Sequence, residues 1–216
     1  MRNRFSAVVF DFDGTLVDSA LIKRQVFFDV AEALPGAREL IFDLLANQPP
    51  LDRYQMFSKL AEQCCLPENA SYFATELARQ YSEICHEKVT QSKDVPGADV
   101  LIKVLKNKSI PVFVSSATPI TELEKIISKR SWAKKLSGIY GSPMRKIDHL
   151  RDINSQIQGD KRLMVMVGDS DGDAAAAEEF GCQFAAVGEN FCSFREALFR
   201  GQNLHDIHAQ LFDSKT

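Results

Sequence analysis

Short apolar segments alternate with helical patterns through most of this sequence, and this alternation constrains the fold more than any other feature. Five such segments are rich in Val, Ile, Phe, Met and Ala. They are predicted strands at 5–10, 110–116, 137–142, 163–169 and 182–188. Continuous apolar strands of this kind indicate burial on both faces of a sheet. The alternation therefore predicts an α/β fold, in which helices cover a parallel sheet.

Helix start and stop signals lie between the predicted strands. Thr118 is a predicted N-cap with Pro119 at the first helical position, and Ser142 with Pro143 repeats this arrangement. Gly181 is predicted to end the helix that follows the fourth strand.

Residues 19–93 differ from the rest because they contain no convincing strand. Four helical patterns fill this region. They are separated by breaks at Pro35-Gly36, Pro49-Pro50 and Pro67. An all-helical block after the first strand of an α/β unit indicates an inserted second domain. The predicted domains are therefore an α/β core, 1–18 with 94–216, and a helical domain, 19–93.

Length and charge exclude several classes of protein. The chain has 216 residues, 45% of them hydrophobic and 25% charged, which is ordinary for a globular protein and excludes a disordered or fibrous one. The net charge of -3 gives no basic field for nucleic acid. No apolar run reaches the length of a membrane span, roughly 18 residues. Five cysteines without framework spacing indicate reduced thiols and a cytoplasmic location. The sequence leaves the oligomeric state open.

Polar residues follow four of the predicted strands, at the point where each strand ends. In an open parallel sheet, ligands bind beyond these carboxyl ends. The residues, in chain order, are Asp11 and Asp13, Ser115 and Ser116, Lys146, and Asp169 and Asp173. Carboxylates, hydroxyls and an ammonium group are therefore expected on one rim of the sheet.

Clustered carboxylates repel one another, and a hard divalent cation relieves that repulsion. Mg²⁺ typically binds one or two carboxylates together with waters and substrate phosphate. Asp11 and Asp169 form such a pair, and a backbone carbonyl near Asp13 adds a third oxygen. Lys146 and the Ser115 hydroxyl would then face the other oxygens of a tetrahedral anion. The sequence thus predicts a site for Mg²⁺ and a phosphate ester.

Asp11 and Asp13 stand two residues apart and share a side of an extended chain. One carboxylate can attack phosphorus, while the other carries a proton to the leaving oxygen. Gly14 lets the backbone approach the phosphate closely, and Thr15 can bond across the turn.

Four stretches in this order resemble the motifs of the haloacid dehalogenase superfamily, whose members are mostly Mg²⁺-dependent phosphatases. "DFDGTLVDS" is similar to the first motif, and "VFVSS", ending at Ser115, to the second. Lys146 resembles the lysine of the third motif, and "VGDSDGD", with Asp169 and Asp173, the fourth. The resemblance implies a Rossmann-like core. It also implies that the helical insert is a cap, as in the phosphoglycolate phosphatase and β-phosphoglucomutase branch.

The resemblance also implies roles. Asp11 would be the nucleophile and Asp13 the general acid/base. The metal would lie on Asp11, the Asp13 backbone and Asp169, with Asp173 supporting Lys146 or the metal. Ser115 and Lys146 would bind the phosphoryl group, with help from the Ser116 backbone N–H. The second aspartate favours phosphate monoesters over carbon–halogen bonds, so the expected partner is a small phosphorylated metabolite.

Alternatives stay open at this point. Arg53, after a Pro-Pro turn in the cap, is a candidate substrate contact or else an exposed arginine. A phosphomutase of β-phosphoglucomutase type would use the same residues. A catalytically idle, partner-binding relative is less readily dismissed than a phospho-acceptor signalling domain, which needs roughly half this length and no helical insert.

Overall fold

A computed structural model of the chain describes residues 4–47, 51–64 and 69–212. The chain divides into two compact units. One unit consists of Met1–Asp18 and Ser92–Thr216, and the other of Ser19–Gln91. Among the described residues, no helix is both long and apolar enough to cross a membrane.

The secondary-structure elements in the described part of the second unit are all helices. Its helices are α1 (Ala20–Ala31), α2 (Ala37–Asn47), α3 (Arg53–Cys64) and α4 (Ala70–Gln91). Phe27, Phe57 and Tyr81 meet in its core, with ring centroids 4.4 to 5.7 Å apart. Helical spacing places one aromatic ring from each of α1, α3 and α4 on a shared buried face. The predicted breaks at Pro49-Pro50 and Pro67 lie outside the described residues.

The first unit is built on a parallel sheet. Its strands are β1 (Ala7–Phe10), β2 (Val112–Pro119), β3 (Gly138–Ser142), β4 (Met164–Gly168), β5 (Gln183–Val187) and β6 (Phe199–Gly201). They lie in the order β3-β2-β1-β4-β5-β6, and every pair is parallel. The predicted α/β fold with a parallel sheet is confirmed. β6 was not predicted, because a three-residue edge strand containing Arg200 has no apolar run.

Five helices accompany this sheet in the described part of the chain. They are α5 (Ala98–Asn107), α6 (Ile120–Ile127), α7 (Lys146–Ile157), α8 (Asp171–Phe180) and α9 (Leu204–Phe212). The apolar faces of α7 and α8 pack on one side of the sheet, against Ala7, Val9 and Met166. The intervening residues Val8 and Phe10 are also fully buried. Burial on both faces accounts for the absence of polar residues from β1 and β4.

Strand register brings the predicted site residues to one level. Phe10 pairs with Val114 of β2 and with Val167 of β4. The residues that follow, Asp11 and Ser115, therefore lie side by side at the carboxyl edge, with Gly168 on the other flank. Because β1 lies between β2 and β4 in the middle of the sheet, Asp11 has neighbouring residues on both sides.

The two predicted N-caps after β2 and β3 are wrong. β2 continues to Pro119, and α6 begins at Ile120, so Thr118 belongs to the strand. α7 begins at Lys146, with Arg145 rather than Ser142 at its N-cap. In contrast, Gly181 ends α8 with φ of 84°, as predicted. A Ser/Thr-Pro pair indicates a turn near a helix, but it does not define the first helical residue.

The segment that leaves the α/β unit and the segment that returns to it are paired through backbone hydrogen bonds. Val17 forms an antiparallel bridge with Asp94. The Asp18 N–H donates to the carbonyl of Lys93 at 3.0 Å, and the Val95 N–H donates to that of Leu16 at 2.9 Å. The ends of the segment between Asp18 and Lys93 are therefore held together within the core unit itself.

Candidate active site

The first acidic residues follow β1 in a tight loop. The Asp11 N–H donates to the carbonyl of Val167 at 2.8 Å, which holds Asp11 beside β4. Gly14 then adopts φ of 81°, a left-handed conformation that residues with side chains rarely adopt. Its N–H donates to the carbonyl of Val17 at 2.8 Å and closes the loop. Asp11 is buried as a result, and Asp13 is half-buried.

β4 and α8 bring two further carboxylates to the same edge. Asp169 directly follows β4, and its Oδ1 accepts a hydrogen bond from Thr15 Oγ1 at 3.2 Å. Asp173 lies fully buried in the first turn of α8. Carboxylate oxygens of Asp11, Asp169 and Asp173 lie within 4.8 Å of one another. The structure thus brings together three residues that the sequence predicts as metal ligands.

Asp173 is held rigidly. Its Oδ2 accepts hydrogen bonds from the Ser170 N–H at 3.2 Å and the Ser170 hydroxyl at 2.5 Å. Its own N–H donates back to Ser170 Oγ at 3.3 Å, which completes a capping box. A Cβ atom on Gly168 would lie 2.3 Å from Asp173 Cγ, so only glycine allows this approach.

Lys146 connects the acids of β1 and α8. Its Nζ donates to Asp11 Oδ1 at 2.7 Å and to Asp173 Oδ1 at 2.5 Å. The lysine side chain is 17% exposed, whereas that of Asp173 is completely buried. Because α7 begins at Lys146, the first turn of this helix directs the ammonium group into the acid cluster.

The cluster carries more negative than positive charge. Burial raises the pKa of Asp11 well above its usual range; Lys146 opposes this shift, and the carboxylates of Asp173, Asp169 and Asp13 add to it. Burial also opposes the charge on Lys146, but Asp11 and Asp173 outweigh it and raise the pKa of the lysine. Lys146 therefore remains protonated, and it does not neutralise the cluster alone.

The pKa of Asp169 reflects the same excess of negative charge. Burial, and then the nearby Asp173 carboxylate, raise the pKa of Asp169 to about 6, against the opposing effects of Lys146 and the Thr15 hydroxyl. A bound divalent cation would remove this penalty, and carboxylate oxygens are the ligands that Mg²⁺ prefers. The donor set therefore fits the predicted metal.

This raised pKa makes stability depend on pH and on the metal. A carboxyl group whose pKa rises on folding destabilises the protein as pH increases past its unfolded pKa, and the full cost is present above the folded pKa. For Asp169, a rise from 3.8 to about 6 corresponds to about 3 kcal/mol. We therefore expect metal-free protein to lose about that much unfolding free energy, relative to Asp169→Asn, between pH 4 and pH 7.5.

Urea unfolding of both proteins in EDTA across this pH range measures the difference. Adding Mg²⁺ at pH 7.5 should restore wild-type stability and leave Asp169→Asn less affected. If the difference in unfolding free energy between wild type and Asp169→Asn did not change with pH, the inferred excess of negative charge in the cluster would be contradicted.

The hydroxyl groups of Ser116 and Thr118 and the carboxyl group of Asp13 form a chain of hydrogen bonds. The Ser116 hydroxyl donates to Thr118 Oγ1 at 3.1 Å, and the Thr118 hydroxyl donates to Asp13 Oδ2 at 3.1 Å. Ser116 Oγ in turn accepts from the Thr118 N–H at 3.0 Å. Thr118 therefore fixes the Asp13 carboxyl group through one of its oxygens.

Ser115 lies fully buried within β2, directly after Val114, the residue that pairs with Phe10. Its Oγ is 2.8 Å from Nδ1 of His149, a residue on α7. The structure thus places its hydroxyl beside a histidine within the same unit as Asp11 and Lys146.

Arg53 belongs to the helical unit and is buried, which excludes the alternative of an exposed arginine. Its guanidinium donates to the Ser82 hydroxyl and lies 5.3 Å from the centroid of the Tyr81 ring. These contacts join α3 to α4.

Two residues of the site escaped the sequence reasoning. Thr118 ends the hydroxyl-rich run "SSAT", which was a usable signal. His149 stands three residues after Lys146, on the buried helical face shared with Leu150 and Ile153. A histidine at such a position more often indicates packing than a site, so only its contact with Ser115 reveals it.

A known protein family matches most of this chain. The family described as haloacid dehalogenase-like hydrolase matches residues 8–187 of the chain. A comparison with curated protein sequences gives no significant match.

Solved structures resemble the fold along nearly the whole chain. A candidate phosphoglycolate phosphatase from Lactobacillus plantarum is 20% identical, with a TM-score of 0.72 over 96% of this chain and 99% of its own. CbbY from Rhodobacter sphaeroides, in complex with xylulose-1,5-bisphosphate, is 17% identical, with a TM-score of 0.72 over 93% and 95%. A candidate β-phosphoglucomutase from Thermotoga maritima is 17% identical, with a TM-score of 0.69 over 95% and 96%. At these identities, the similarity shows a shared fold.

Proposed function

The chain belongs to the family of haloacid dehalogenase-like hydrolases, and we propose that it is a Mg²⁺-dependent phosphatase acting on a small-molecule phosphate monoester. The family predicted from the four motifs is thereby confirmed. The observation that supports the proposal most is the contact of Lys146 with both Asp11 and Asp173, inside a cluster of carboxylates at the carboxyl end of β1.

Asp11 is the proposed nucleophile. One of its carboxylate oxygens attacks phosphorus while the bond from phosphorus to the ester oxygen breaks, which leaves an aspartyl phosphate. Water then attacks the phosphorus of this intermediate, and inorganic phosphate and the Asp11 carboxylate are regenerated. Lys146, at 2.7 Å from Asp11 Oδ1, counteracts the rise in the pKa of Asp11 and so favours the ionised nucleophile.

Asp13 is the proposed general acid and base. It gives a proton to the leaving alcohol in the first step and takes one from water in the second. Thr118 donates to Oδ2 of Asp13 and so orients this carboxyl group. The hydrogen bond also supports the placement of Asp13 at the edge of the sheet, near the leaving group.

The proposed metal ligands are Asp11, Asp169 and the Asp13 backbone carbonyl. When bound, Mg²⁺ neutralises the excess carboxylate charge and polarises the phosphoryl oxygens. Thr15 donates to Asp169 and orients that carboxylate, so its hydroxyl supports a ligand of the metal. Asp173, joined to Lys146 and Ser170, is best supported as the residue that positions the lysine.

The remaining proposed contacts are to the phosphoryl group. The Ser115 hydroxyl, the Ser116 N–H and the Lys146 ammonium supply donors, and Gly14 allows close backbone approach. The helical unit, Ser19–Gln91, is the proposed cap that selects the substrate. For Arg53, the contacts with Ser82 and Tyr81 support a role in packing this unit more than a substrate contact. A cytoplasmic location stays a prediction.

A phosphomutase is the second candidate, because the same acid pair would serve it and because the fold also resembles a candidate β-phosphoglucomutase. A mutase returns the phosphoryl group to the substrate instead of passing it to water. The complete set of acid, hydroxyl and lysine contacts speaks against an idle relative.

A screen of phosphate release across phosphorylated metabolites tests the proposal. Sugar, nucleotide and two-carbon phosphates, a sugar bisphosphate and p-nitrophenyl phosphate should be compared with Mg²⁺ and with EDTA. We expect release that EDTA abolishes, with kcat/KM on the order of 10⁴ M⁻¹s⁻¹ or more for the preferred substrate. Isomerisation of a sugar phosphate without phosphate loss would favour the mutase, and inertness toward the entire panel would contradict both.

A further inference from the structure

His149 occupies a buried junction between β2, β3 and α7. It is 1% exposed. Its Nδ1 lies 2.8 Å from Ser115 Oγ, and its Nε2 lies 3.2 Å from the carbonyl oxygen of Gly141. The ring also packs against Tyr140, with centroids 5.6 Å apart. Both ring nitrogens therefore have a partner, one on each of the two strands that precede α7.

The partner on β3 determines the tautomer. A carbonyl oxygen only accepts hydrogen bonds, so Nε2 must carry a hydrogen to bond with Gly141. Burial lowers the pKa of His149, and the nearby Lys146 acts in the same direction, while the Gly141 hydrogen bond opposes them; the neutral ring is the favoured form. In that form Nδ1 bears a lone pair. The Ser115 hydroxyl is then the donor of the 2.8 Å hydrogen bond.

We propose that His149 is a positioning residue for the transferring phosphoryl group: through Nδ1 it holds the Oγ atom of Ser115, a residue of β2 that lies beside Asp11. This inference rests on the proposed phosphatase function. A serine side chain otherwise chooses among three staggered rotamers. The hydrogen bond to His149 selects one of them before substrate arrives.

The same hydrogen bond does not prevent Ser115 from binding a phosphoryl group. The O–H bond can turn about Cβ–Oγ toward a phosphoryl oxygen while Oγ keeps its position. A hydrogen bond to an anion is about twice as strong as one between neutral groups. The Ser115 hydroxyl therefore donates to the phosphoryl oxygen in preference to the neutral imidazole, while its Oγ atom keeps the position that His149 has set.

Two substitutions at His149 separate this role from simple packing. Asn carries its amide near the position of Nδ1 and can still meet Ser115, whereas Gln carries its amide near Nε2 and can still meet the Gly141 carbonyl. With Mg²⁺ and p-nitrophenyl phosphate, His149→Gln should lower kcat/KM about tenfold. His149→Asn should recover part of that loss.

A double-mutant cycle with Ser115→Ala supplies the control. Once the hydroxyl is gone, His149→Asn and His149→Gln should have equal kcat/KM. If His149→Gln were as active as wild type, or if the difference between Asn and Gln persisted without the Ser115 hydroxyl, the proposal would be overturned. Thermal unfolding of each variant checks that the fold is retained.

Nitrogen-15 NMR of the histidine side chains tests the contact without any need for activity. We expect the His149 ring to be protonated at Nε2 only, with an Nδ1 resonance that moves in Ser115→Ala. Resonances of His86, His205 and His208 serve as internal controls. A ring protonated at Nδ1, or an Nδ1 resonance unaffected by Ser115→Ala, would refute the contact. If the contact is present but wild-type protein releases no phosphate from any ester, the proposed function fails and the hydrogen bond stands.

Discussion

Replacing Asp11 with Asn should abolish phosphate release, with a fall in kcat of about 10⁴-fold or more. The amide oxygen of Asn is a poor nucleophile and forms no stable acyl phosphate, so the first chemical step is lost. Folding should survive, because burial raises the pKa of Asp11 and removal of its charge relieves the excess of carboxylates. Steady-state release from p-nitrophenyl phosphate, together with urea unfolding, measures both effects.

Asp13→Asn is the matched control for this experiment, since it removes a carboxylate two residues away and keeps the nucleophile. It should reduce turnover of alkyl phosphates by roughly 10²- to 10⁴-fold, the usual contribution of a general acid. The loss should be smaller for p-nitrophenyl phosphate, whose leaving group needs no proton. Equal losses for the two kinds of ester would count against the acid role of Asp13, and turnover by Asp11→Asn would end the case for an aspartyl phosphate.

Replacing Lys146 with Met should cost about 3–5 kcal/mol of unfolding free energy at pH 7.5 in the absence of Mg²⁺. Removal of one partner from a buried ion pair leaves the other charge uncompensated. Here the stranded group is Asp173, whose side chain is completely buried, and Asp11 loses a hydrogen bond of 2.7 Å. Loss of the ammonium group should also lower kcat/KM about 100-fold, as for other donors that stabilise transition-state charge.

The double variant Lys146→Met/Asp173→Asn distinguishes a broken ion pair from lost packing. It should recover a large part of the stability, because it removes both charges of the pair. The cost of Lys146→Met should also shrink toward pH 5, because burial raises the pKa of Asp11 and this carboxyl group then takes up a proton. A penalty that is equally large with and without the Asp173 carboxylate would mean that Lys146 acts mainly through its methylene groups.

The parallel sheet and the polar residues at its carboxyl edge were predictable from the apolar segments and from the residues that follow them. Continuous apolar strands require burial on both faces, and parallel strands end at the same edge. Asp11, Lys146 and Asp169 were therefore expected at one edge of the sheet, whereas the strand order β3-β2-β1-β4-β5-β6 decides which of them lie in contact.

Contacts between side chains on different elements were not predictable in the same way. The hydrogen bond of His149 with Ser115 depends on the register of β2 and β3 and on where α7 begins, and the predicted helix start was wrong by three residues. The bond of Thr118 with Asp13 likewise requires β2 to continue to Pro119. Such details depend on differences of one or two residues, which local propensity does not resolve.

The backbone pairing between the segments that leave and return to the core has a consequence for replacement of the helical segment between them. Val17 and Asp94 are bridged, and the flanking amides of Asp18 and Val95 are satisfied within the core, so the core needs only a closed loop at this point. For a flexible loop, each doubling of length costs about 0.6 kcal/mol. We therefore expect that this helical segment can be exchanged for another of different length without loss of the contacts around Asp11.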